Sequence, residues 1–187
     1  SGAFNAHFAG LARRLVEERG VRDCRIVEVG CGQGGFLRAL VEAEGSGNRG
    51  WGFDPAYRGP ESDLDGRLRF EQCYYGPDTS DVPADVVLCR HVIEHVPDPM
   101  SLLRSIRAAL SGSTAPKLML ETPDVGWILE HGVVWDFFYE HCSYFSPQSM
   151  KWALEAAGFC ADSIEHVFGE QYLWAEAISA SERGSCP

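Results

Sequence analysis

The chain has 187 residues and a formal net charge of −11, because 27 Asp and Glu outnumber 16 Lys and Arg. This acidic balance disfavours nucleic acid and anionic membrane surfaces as partners, and 45% hydrophobic with 23% charged residues is not the composition of a disordered or fibrous chain. We expect one domain over residues 1–187, located in the cytoplasm with reduced thiols, since we find no signal peptide, no membrane span and no C-x-x-C pair among seven cysteines.

Apolar residues at helical spacing predict an N-terminal amphipathic helix within residues 1–20. A β-branched run then enters a glycine-rich segment, after which helical spacing resumes. Further apolar runs predict four more strands. A helix is predicted at 100–110, with Asp98 or Ser101 as its candidate cap. The predicted strands occupy residues 25–29, 50–53, 67–71, 84–89 and 117–121.

Residues 123–146 interrupt this alternation with a high density of aromatic side chains, and we interpret them as a lid or substrate wall. A helix is predicted from Pro147 to Gly158, followed by strands at 159–168 and 171–178 that join in a hairpin. Strands that alternate with helices indicate βαβ units. The predicted fold is therefore doubly wound α/β, with helices on both faces of a largely parallel sheet.

The glycine-rich segment has the composition of a nucleotide-binding loop. Glycines between a strand and a helix let a ligand approach the backbone at a helix N-terminus. Asp54 ends the second strand, where a carboxylate accepts hydrogen bonds from ribose hydroxyls, and Glu28 is suited to an ammonium group. Because Gly30, Gly32 and Gly35 also satisfy G-x-G-x-x-G, a dinucleotide site stays open on these residues alone.

Three segments together resemble the successive motifs of class I S-adenosylmethionine-dependent methyltransferases: residues 27–35, 52–55 and 84–99. The resemblance implies a Rossmann-like sheet of seven strands with an antiparallel last strand. It also implies S-adenosylmethionine as cofactor, S-adenosylhomocysteine as product and no metal ion. In this family the methionine part would contact Glu28, Gly30, Gly32 and Gly34, the ribose side Asp54 and Pro55, the adenine Gln72, Cys73 and Tyr74, and the sulfonium end Arg90 and His91.

The segment from His91 to His95 also matches H-x-x-E-H, an inverted zinc-protease signature, with Glu165 as a conceivable third ligand. Against a zinc site, the motif directly follows a buried strand, and Pro97 ends any helix within a turn of His95. We therefore expect no metal, and we expect His95 to be a structural, hydrogen-bonded histidine.

Methyl transfer from a sulfonium is an in-line displacement, and a base is needed only when the acceptor is a hydroxyl or a carbon acid. Residues 138–146 resemble the Tyr-His-Glu-His and Tyr-Phe-Ser pattern of nucleotide-sugar C-methyltransferases, with Phe138 and Tyr139 as departures from it. His141 is the candidate base or acceptor-orienting residue, and Glu140 and Tyr139 are further catalytic candidates. A structural role for His141 is the alternative.

The leading interpretation is a methyltransferase that acts on a small molecule, such as a sugar or a natural-product intermediate of secondary metabolism. A NAD(P)-dependent oxidoreductase and a non-catalytic S-adenosylmethionine-binding module are the alternatives. The oligomeric state and the acceptor atom do not follow from the sequence.

Overall fold

Strands and helices alternate along the chain in the computed structural model, which describes residues 2–138 and 140–179. The strands are β1 (Arg25–Val29), β2 (Arg49–Phe53), β3 (Ser62–Asp63), β4 (Leu68–Glu71), β5 (Val86–Arg90), β6 (Lys117–Pro123), β7 (Phe159–Val167) and β8 (Tyr172–Ser179). The helices are α1 (Gly2–Glu17), α2 (Gly35–Glu42), α3 (Pro99–Leu110), α4 (Val125–His131) and α5 (Pro147–Ala156). Short 3-10 helices cover Leu64–Gly66, Ile93–His95 and Val134–Phe137.

All eight strands that the described residues form lie in one sheet, in the order β3-β4-β2-β1-β5-β6-β8-β7. The five strands from β4 to β6 in this order are parallel, and β8 runs antiparallel to both β6 and β7. The α/β fold and its antiparallel last strand are therefore confirmed. The expected count of seven strands is one too low, because Ser62 and Asp63 pair antiparallel with β4 and add a two-residue edge strand.

Helices cover both faces of the sheet, as predicted. On one face, α1 and α2 bury Leu15, Leu37 and Leu40 in a cluster that includes Trp174. On the other face, α3 and α5 pack side chains such as Ile106 against the central strands. All five residues of β5 are buried, which is typical of a parallel strand covered on both sides. The strand ends of this rigid sheet supply a fixed frame for the loops.

The predicted insert at 123–146 contains regular structure. Asp124 caps α4 by accepting from the amides of Gly126 and Trp127, and Gly132 ends the helix in a left-handed conformation. Asp98, not Ser101, caps α3, since its side chain accepts from the Ser101 amide. The insert is thus anchored at the end of β6 by a capped helix.

Among the residues that the structure describes, five cysteines are free thiols: Cys24, Cys31, Cys73, Cys89 and Cys142. Cys160 is disulfide-bonded, so the expectation of reduced thiols is wrong for this residue.

Within the residues described, no helix combines the length and the apolar character that crossing a bilayer requires.

Candidate active site

The glycine loop follows β1 at the carboxyl end of the sheet, and two of its positions admit only glycine. Gly30 has φ of 68°, and a Cβ there would lie 2.1 Å from Cγ2 of Val92. Gly34 has φ of 76°, and a Cβ there would lie 2.4 Å from the Phe70 ring. The amides of Gly30 and Cys31 donate to the Phe53 carbonyl at 2.8 and 3.1 Å. The loop is therefore fixed close to the ends of β2 and β4.

Asp54 connects the glycine loop to the end of β2. One carboxylate oxygen accepts from the Gly32 amide at 2.8 Å, and the other accepts from the Ala56 amide at 2.7 Å. An ionised carboxylate has about four acceptor positions, so two remain for a ligand. The structure thus brings Asp54 and Gly32 together as the sequence predicted, while the ribose contact itself stays a prediction.

Glu28 is buried beneath the loop, on β1. Its Oε2 accepts from the Leu37 amide in the first turn of α2 at 3.2 Å. Burial raises the pKa of Glu28 to about 8, although the charge of Arg90 and the amide of Leu37 act in the opposite direction. An ammonium group placed beside this carboxyl would favour its ionised form, so the site is suited to a cationic ligand group.

The residues expected around the adenine follow β4, but they do not form one cluster. The Asp54 amide donates to the Glu71 carbonyl at 3.1 Å, and the Gln72 side-chain amide donates to the Pro55 carbonyl at 3.3 Å. The Cys73 thiol is directed toward the Glu71 carboxylate. Tyr74 is 81% exposed. Gln72 and Pro55 therefore lie beside Asp54, whereas the ring of Tyr74 stands in solvent.

Arg90, at the end of β5, has its charge neutralised within the protein. Its Nε donates to Oε2 of Glu121 at 2.7 Å, and its guanidinium lies 4.2 Å from the centre of the Phe36 ring. Burial favours the neutral form of Glu121, but Arg90, His91 and His7 outweigh it and hold the pKa of this carboxyl below its usual value. A sulfonium near Arg90 would thus meet a neutral ion pair rather than an isolated cation.

Helix α1 contributes to the site in a way that the sequence analysis missed. His7 Nε2 lies 2.5 Å from Oε1 of Glu121, and Phe8 packs edge-on against Phe36. A cavity of about 240 Å³ is bounded by Phe4 and Phe8 on one side. Its other walls are Glu28, residues 30–33, Gly35, Phe36, Arg90 and His91. The apolar spacing of α1 indicated its buried face, but no local signal pairs His7 with Glu121 across 114 positions.

His91 adopts a left-handed backbone conformation, with φ of 52°, directly after β5. Its Nε2 lies 3.6 Å from a Glu121 oxygen, and its ring packs edge-on against Tyr172. Glu165 pairs with Arg14. The ligand set of the zinc-protease signature is therefore wrong: the motif lies in a turn after a strand, so His91 faces Glu121, and Glu165 is engaged elsewhere.

The segment around His141 is held against the 3-10 turn that contains Glu94. The amides of Cys142 and Ser143 donate to the Glu94 carbonyl at 2.7 and 3.1 Å. The ring centres of His141 and His95 lie 4.7 Å apart, edge to face. His95 is exposed, and its ring has no hydrogen bond to another described residue, which corrects the expectation of a hydrogen-bonded structural histidine.

Of the other two catalytic candidates, the structure describes Glu140. Glu140 is exposed and has φ of 48°. Tyr139 lies outside the described residues. Phe138 is 82% exposed and Trp135 is 60% exposed, so the insert presents aromatic surface to solvent. A function of the insert as lid or substrate wall stays a prediction.

Comparison with known proteins identifies the family. A family model described as methyltransferase domain matches residues 4–164. A search of curated proteins found no match. Among solved structures, a chain from the complex of the Haloferax volcanii Trm112 methyltransferase activator with a methyltransferase has a TM-score of 0.73 at 17% identity, covering 95% of this chain and 91% of that one.

Two other similar structures were solved with S-adenosylhomocysteine or S-adenosylmethionine bound. Burkholderia thailandensis 1,6-didemethyltoxoflavin-N1-methyltransferase, solved with its substrate and S-adenosylhomocysteine, has a TM-score of 0.67 at 17% identity over 92% of this chain and 78% of that one. The O-methyltransferase NcsB1 of neocarzinostatin biosynthesis, solved with S-adenosylmethionine and a naphthoic acid, has a TM-score of 0.67 at 18% identity. That match covers 94% of this chain and 54% of NcsB1, so the chain spans about half of its length.

These comparisons decide between the two interpretations of the glycine loop, and the nicotinamide oxidoreductase is set aside. The matched residues include the loop, Asp54, the turn after β5 and the whole insert. The chain belongs to the methyltransferase-domain family and has the α/β Rossmann-like fold of class I methyltransferases.

Proposed function

We propose that this protein transfers a methyl group from S-adenosylmethionine to a small molecule in the cytoplasm and releases S-adenosylhomocysteine. The observation that carries the proposal is the arrangement of Asp54 and Glu28 around the glycine loop. Asp54 is fixed by the Gly32 amide and keeps acceptor capacity for two ribose hydroxyls, while Glu28 lies buried behind the loop.

The donor would lie along the carboxyl ends of β1, β2 and β4. Its ammonium group would ionise Glu28, and Gly30, Gly32 and Gly34 would allow its methionine part to approach the backbone. Pro55 would lie on the ribose side with Asp54, and Gln72, Cys73 and Tyr74 would surround the adenine. The sulfonium would then reach the cavity beside His91, where the Arg90–Glu121 ion pair leaves no isolated positive charge.

The acceptor would approach from the side of β5 and β6. The nucleophilic atom forms a bond to the methyl carbon as the carbon–sulfur bond breaks, and the electron pair of that bond stays on sulfur. An acceptor hydroxyl or carbon acid also loses a proton during the reaction. We propose His141 as the residue that handles the acceptor, with Glu140 and Tyr139 as further candidates for this task.

An intermediate of secondary metabolism or a sugar is the acceptor class that we propose. The solved relatives named for toxoflavin and neocarzinostatin biosynthesis support the first class. The resemblance of residues 138–146 to nucleotide-sugar C-methyltransferases supports the second. An acidic chain with aromatic side chains in its insert is compatible with an uncharged, ring-containing acceptor.

Calorimetric titration with S-adenosylmethionine, S-adenosylhomocysteine and NADH tests the proposal. We expect micromolar-range binding of both adenosyl ligands to the wild type, at least about tenfold weaker binding to Asp54→Asn, and no binding of NADH. Asp162→Asn is the matched control, because Asp162 is exposed on β7, far along the sheet from the glycine loop. Absence of adenosyl binding would overturn the proposal.

A non-catalytic module would bind S-adenosylmethionine and S-adenosylhomocysteine as well as an enzyme does, so titration alone does not distinguish the two. A screen of hydroxylated small molecules with methyl-labelled S-adenosylmethionine distinguishes the module from an enzyme, since only an enzyme transfers the label.

A further inference from the structure

Three side chains that could bind a metal ion meet next to the proposed acceptor path. They are Glu94 and His95, from the 3-10 turn after β5, and His141, from the insert. One ligand atom from each lies within 4.8 Å of the other two. This group differs from the set suggested by the H-x-x-E-H motif, because His141 takes the position that the motif would assign to His91.

The backbone holds this arrangement in place. The Glu94 carbonyl accepts from the amides of Cys142 and Ser143, and the Cys142 thiol is directed toward the His95 carbonyl at 3.4 Å. These contacts fix the backbone of Glu94 and His95 relative to Cys142, the residue that follows His141. The approach of His141 to His95 is therefore built into the main chain.

The Glu94 carboxylate gives an independent indication of a ligand. It is 2% exposed, and Thr122 donates a hydrogen bond to its Oε2 at 3.0 Å. Within the described residues its one ion-pair contact is to a histidine, His91, whose Nδ1 lies 3.7 Å from Oε1. No Lys or Arg of that part of the chain pairs with it. A buried carboxylate that lacks a permanent cation is costly, and a metal ion would supply that charge.

The two imidazoles are available for coordination. The rings of His95 and His141 contact each other edge to face, and neither has a hydrogen bond to another described residue. Zinc–nitrogen bonds of about 2.0–2.1 Å require ligand atoms that are about 3.3 Å apart in a tetrahedral site. Rotation of the exposed His95 ring and the half-buried His141 ring can close the remaining distance.

We propose that Glu94, His95 and His141 form a binding site for a divalent transition-metal ion of the zinc type. Two histidines and one carboxylate are the protein ligands of catalytic zinc sites, which keep a fourth position open. The hydrogen bond from Thr122 orients the carboxylate, as outer-shell partners do in metal sites.

The location defines what the open position would bind, and this step rests on the proposed function. Glu94 lies within 4 Å of His91, which lines the cavity assigned to the donor. An acceptor oxygen at the open position would therefore lie on the acceptor side of the sulfonium. A divalent ion lowers the pKa of a hydroxyl bound to it.

The substrate class is thus a hydroxyl-bearing small molecule. Its proton passes to water, its oxygen forms the bond to the methyl carbon, and the carbon–sulfur bond breaks with its electron pair on sulfur. His141 would then act as a ligand and not as a base.

Metal binding can be measured without any acceptor. The purified protein is stripped with a chelator and titrated with Zn²⁺ by calorimetry, and with Co²⁺ by visible absorption. We expect one Zn²⁺ per chain, and absorption bands of tetrahedral Co²⁺ in the wild type. His95→Ala and His141→Ala should bind at least about 100-fold more weakly and lose those bands. His131→Ala is the matched control, because His131 is an exposed histidine that stacks on Trp127.

Binding of Zn²⁺ by the two alanine variants with wild-type affinity, or no stoichiometric binding by the wild type, would overturn the site. Glu94→Gln is measured as well, with circular dichroism as a check on folding. Should it fail to fold, the two histidine variants still decide the outcome, since neither histidine is buried. S-Adenosylmethionine binding is titrated in the same samples. If the wild type does not bind S-adenosylmethionine, the proposed function is refuted and the metal result stands. If the wild type binds S-adenosylmethionine but no Zn²⁺, only the metal site is refuted.

Discussion

The proposed donor side, at the ends of β1, β2 and β4, is made of backbone groups and short local motifs, whereas the proposed acceptor side, beyond β5 and β6, is made of side chains from distant segments. At the ends of β1 and β2, the Gly32 amide already donates to Asp54, and the Phe53 carbonyl already accepts from the amides of Gly30 and Cys31. Beyond β5 and β6, Glu94 and His141 belong to a turn and to the insert, and the imidazoles there lack hydrogen-bond partners among the described residues.

This contrast has a functional meaning. A site for a constant cofactor gains from a frame that is complete before the ligand arrives, because little ordering remains to be done on binding. A site that binds and activates a particular acceptor needs side chains whose hydrogen-bonding or ligand atoms are still free. Cofactor binding and acceptor handling should therefore be separable by mutation.

The largest expected effect is on the acceptor side. His141→Ala should lower the rate of methyl transfer by about 10²–10⁴-fold, because either a ligand or a proton-handling group is lost. The affinity for S-adenosylmethionine should stay unchanged, since the residues proposed to bind the donor lie elsewhere. Transfer of labelled methyl to an acceptor found by screening measures the rate, with Asp162→Asn as control. Turnover near that of the wild type would remove His141 from the reaction.

The donor side could be predicted from the sequence because its contacts are local or follow the strand order. The run from β1 through the glycine loop to α2 forms one continuous unit, and Asp54 follows the neighbouring strand. The hairpin turn predicts the antiparallel pairing of β7 with β8, and the family resemblance implies that the last strand is antiparallel in the sheet. The edge strand β3 was missed because a two-residue pairing has no pattern of its own.

The acceptor side could not be predicted in the same way. A sequence motif pairs His91 with His95 by spacing, but spacing assumes a helix, and the chain at His91 is in a left-handed turn. The approach of His141 to Glu94 depends on hydrogen bonds between segments 47 or more positions apart. The contact of His7 with Glu121 likewise depends on how α1 packs across the sheet.

The rigidity of the donor side can be tested at Gly30. Gly30→Ala should destabilise the fold by about 3 kcal/mol, because alanine disfavours the left-handed conformation and its Cβ would overlap Val92. S-Adenosylmethionine binding should be lost with it. Gly10→Ala is the control: Gly10 lies inside α1 with open space around it, so this change should stabilise by about 0.5–1 kcal/mol. Urea unfolding measures both, and equal effects would contradict the close approach at Gly30.

Glu28 provides a pH-dependent test of the same side. Between pH 4.5 and 8 the folded protein keeps the Glu28 proton that the unfolded chain has lost, so stability falls as the pH rises through this range. Glu28→Gln has no such proton and should be more stable than the wild type by up to about 4 kcal/mol at pH 8.5, with a difference below about 1 kcal/mol at pH 5. It should nevertheless bind S-adenosylmethionine more weakly.

Thermal unfolding at the two pH values measures this difference, and Glu44→Gln, an exposed position, is the control. Because the comparison is between two variants, the titration of all other groups cancels. Parallel pH profiles for the wild type and Glu28→Gln would show that Glu28 is ionised in the folded protein.

The smallest expected effect distinguishes a positioning residue from a ligand on the acceptor side. Thr122→Val keeps the shape of the side chain but removes the hydrogen bond to Glu94, so the carboxylate loses its fixed orientation. Zn²⁺ affinity should fall about tenfold, equivalent to about 1.4 kcal/mol, while one ion still binds per chain. A loss as large as that of His141→Ala would mean that the hydroxyl itself coordinates the ion. Unchanged affinity would mean that Glu94 is held by its backbone contacts alone, and the acceptor side would then be as preformed as the donor side.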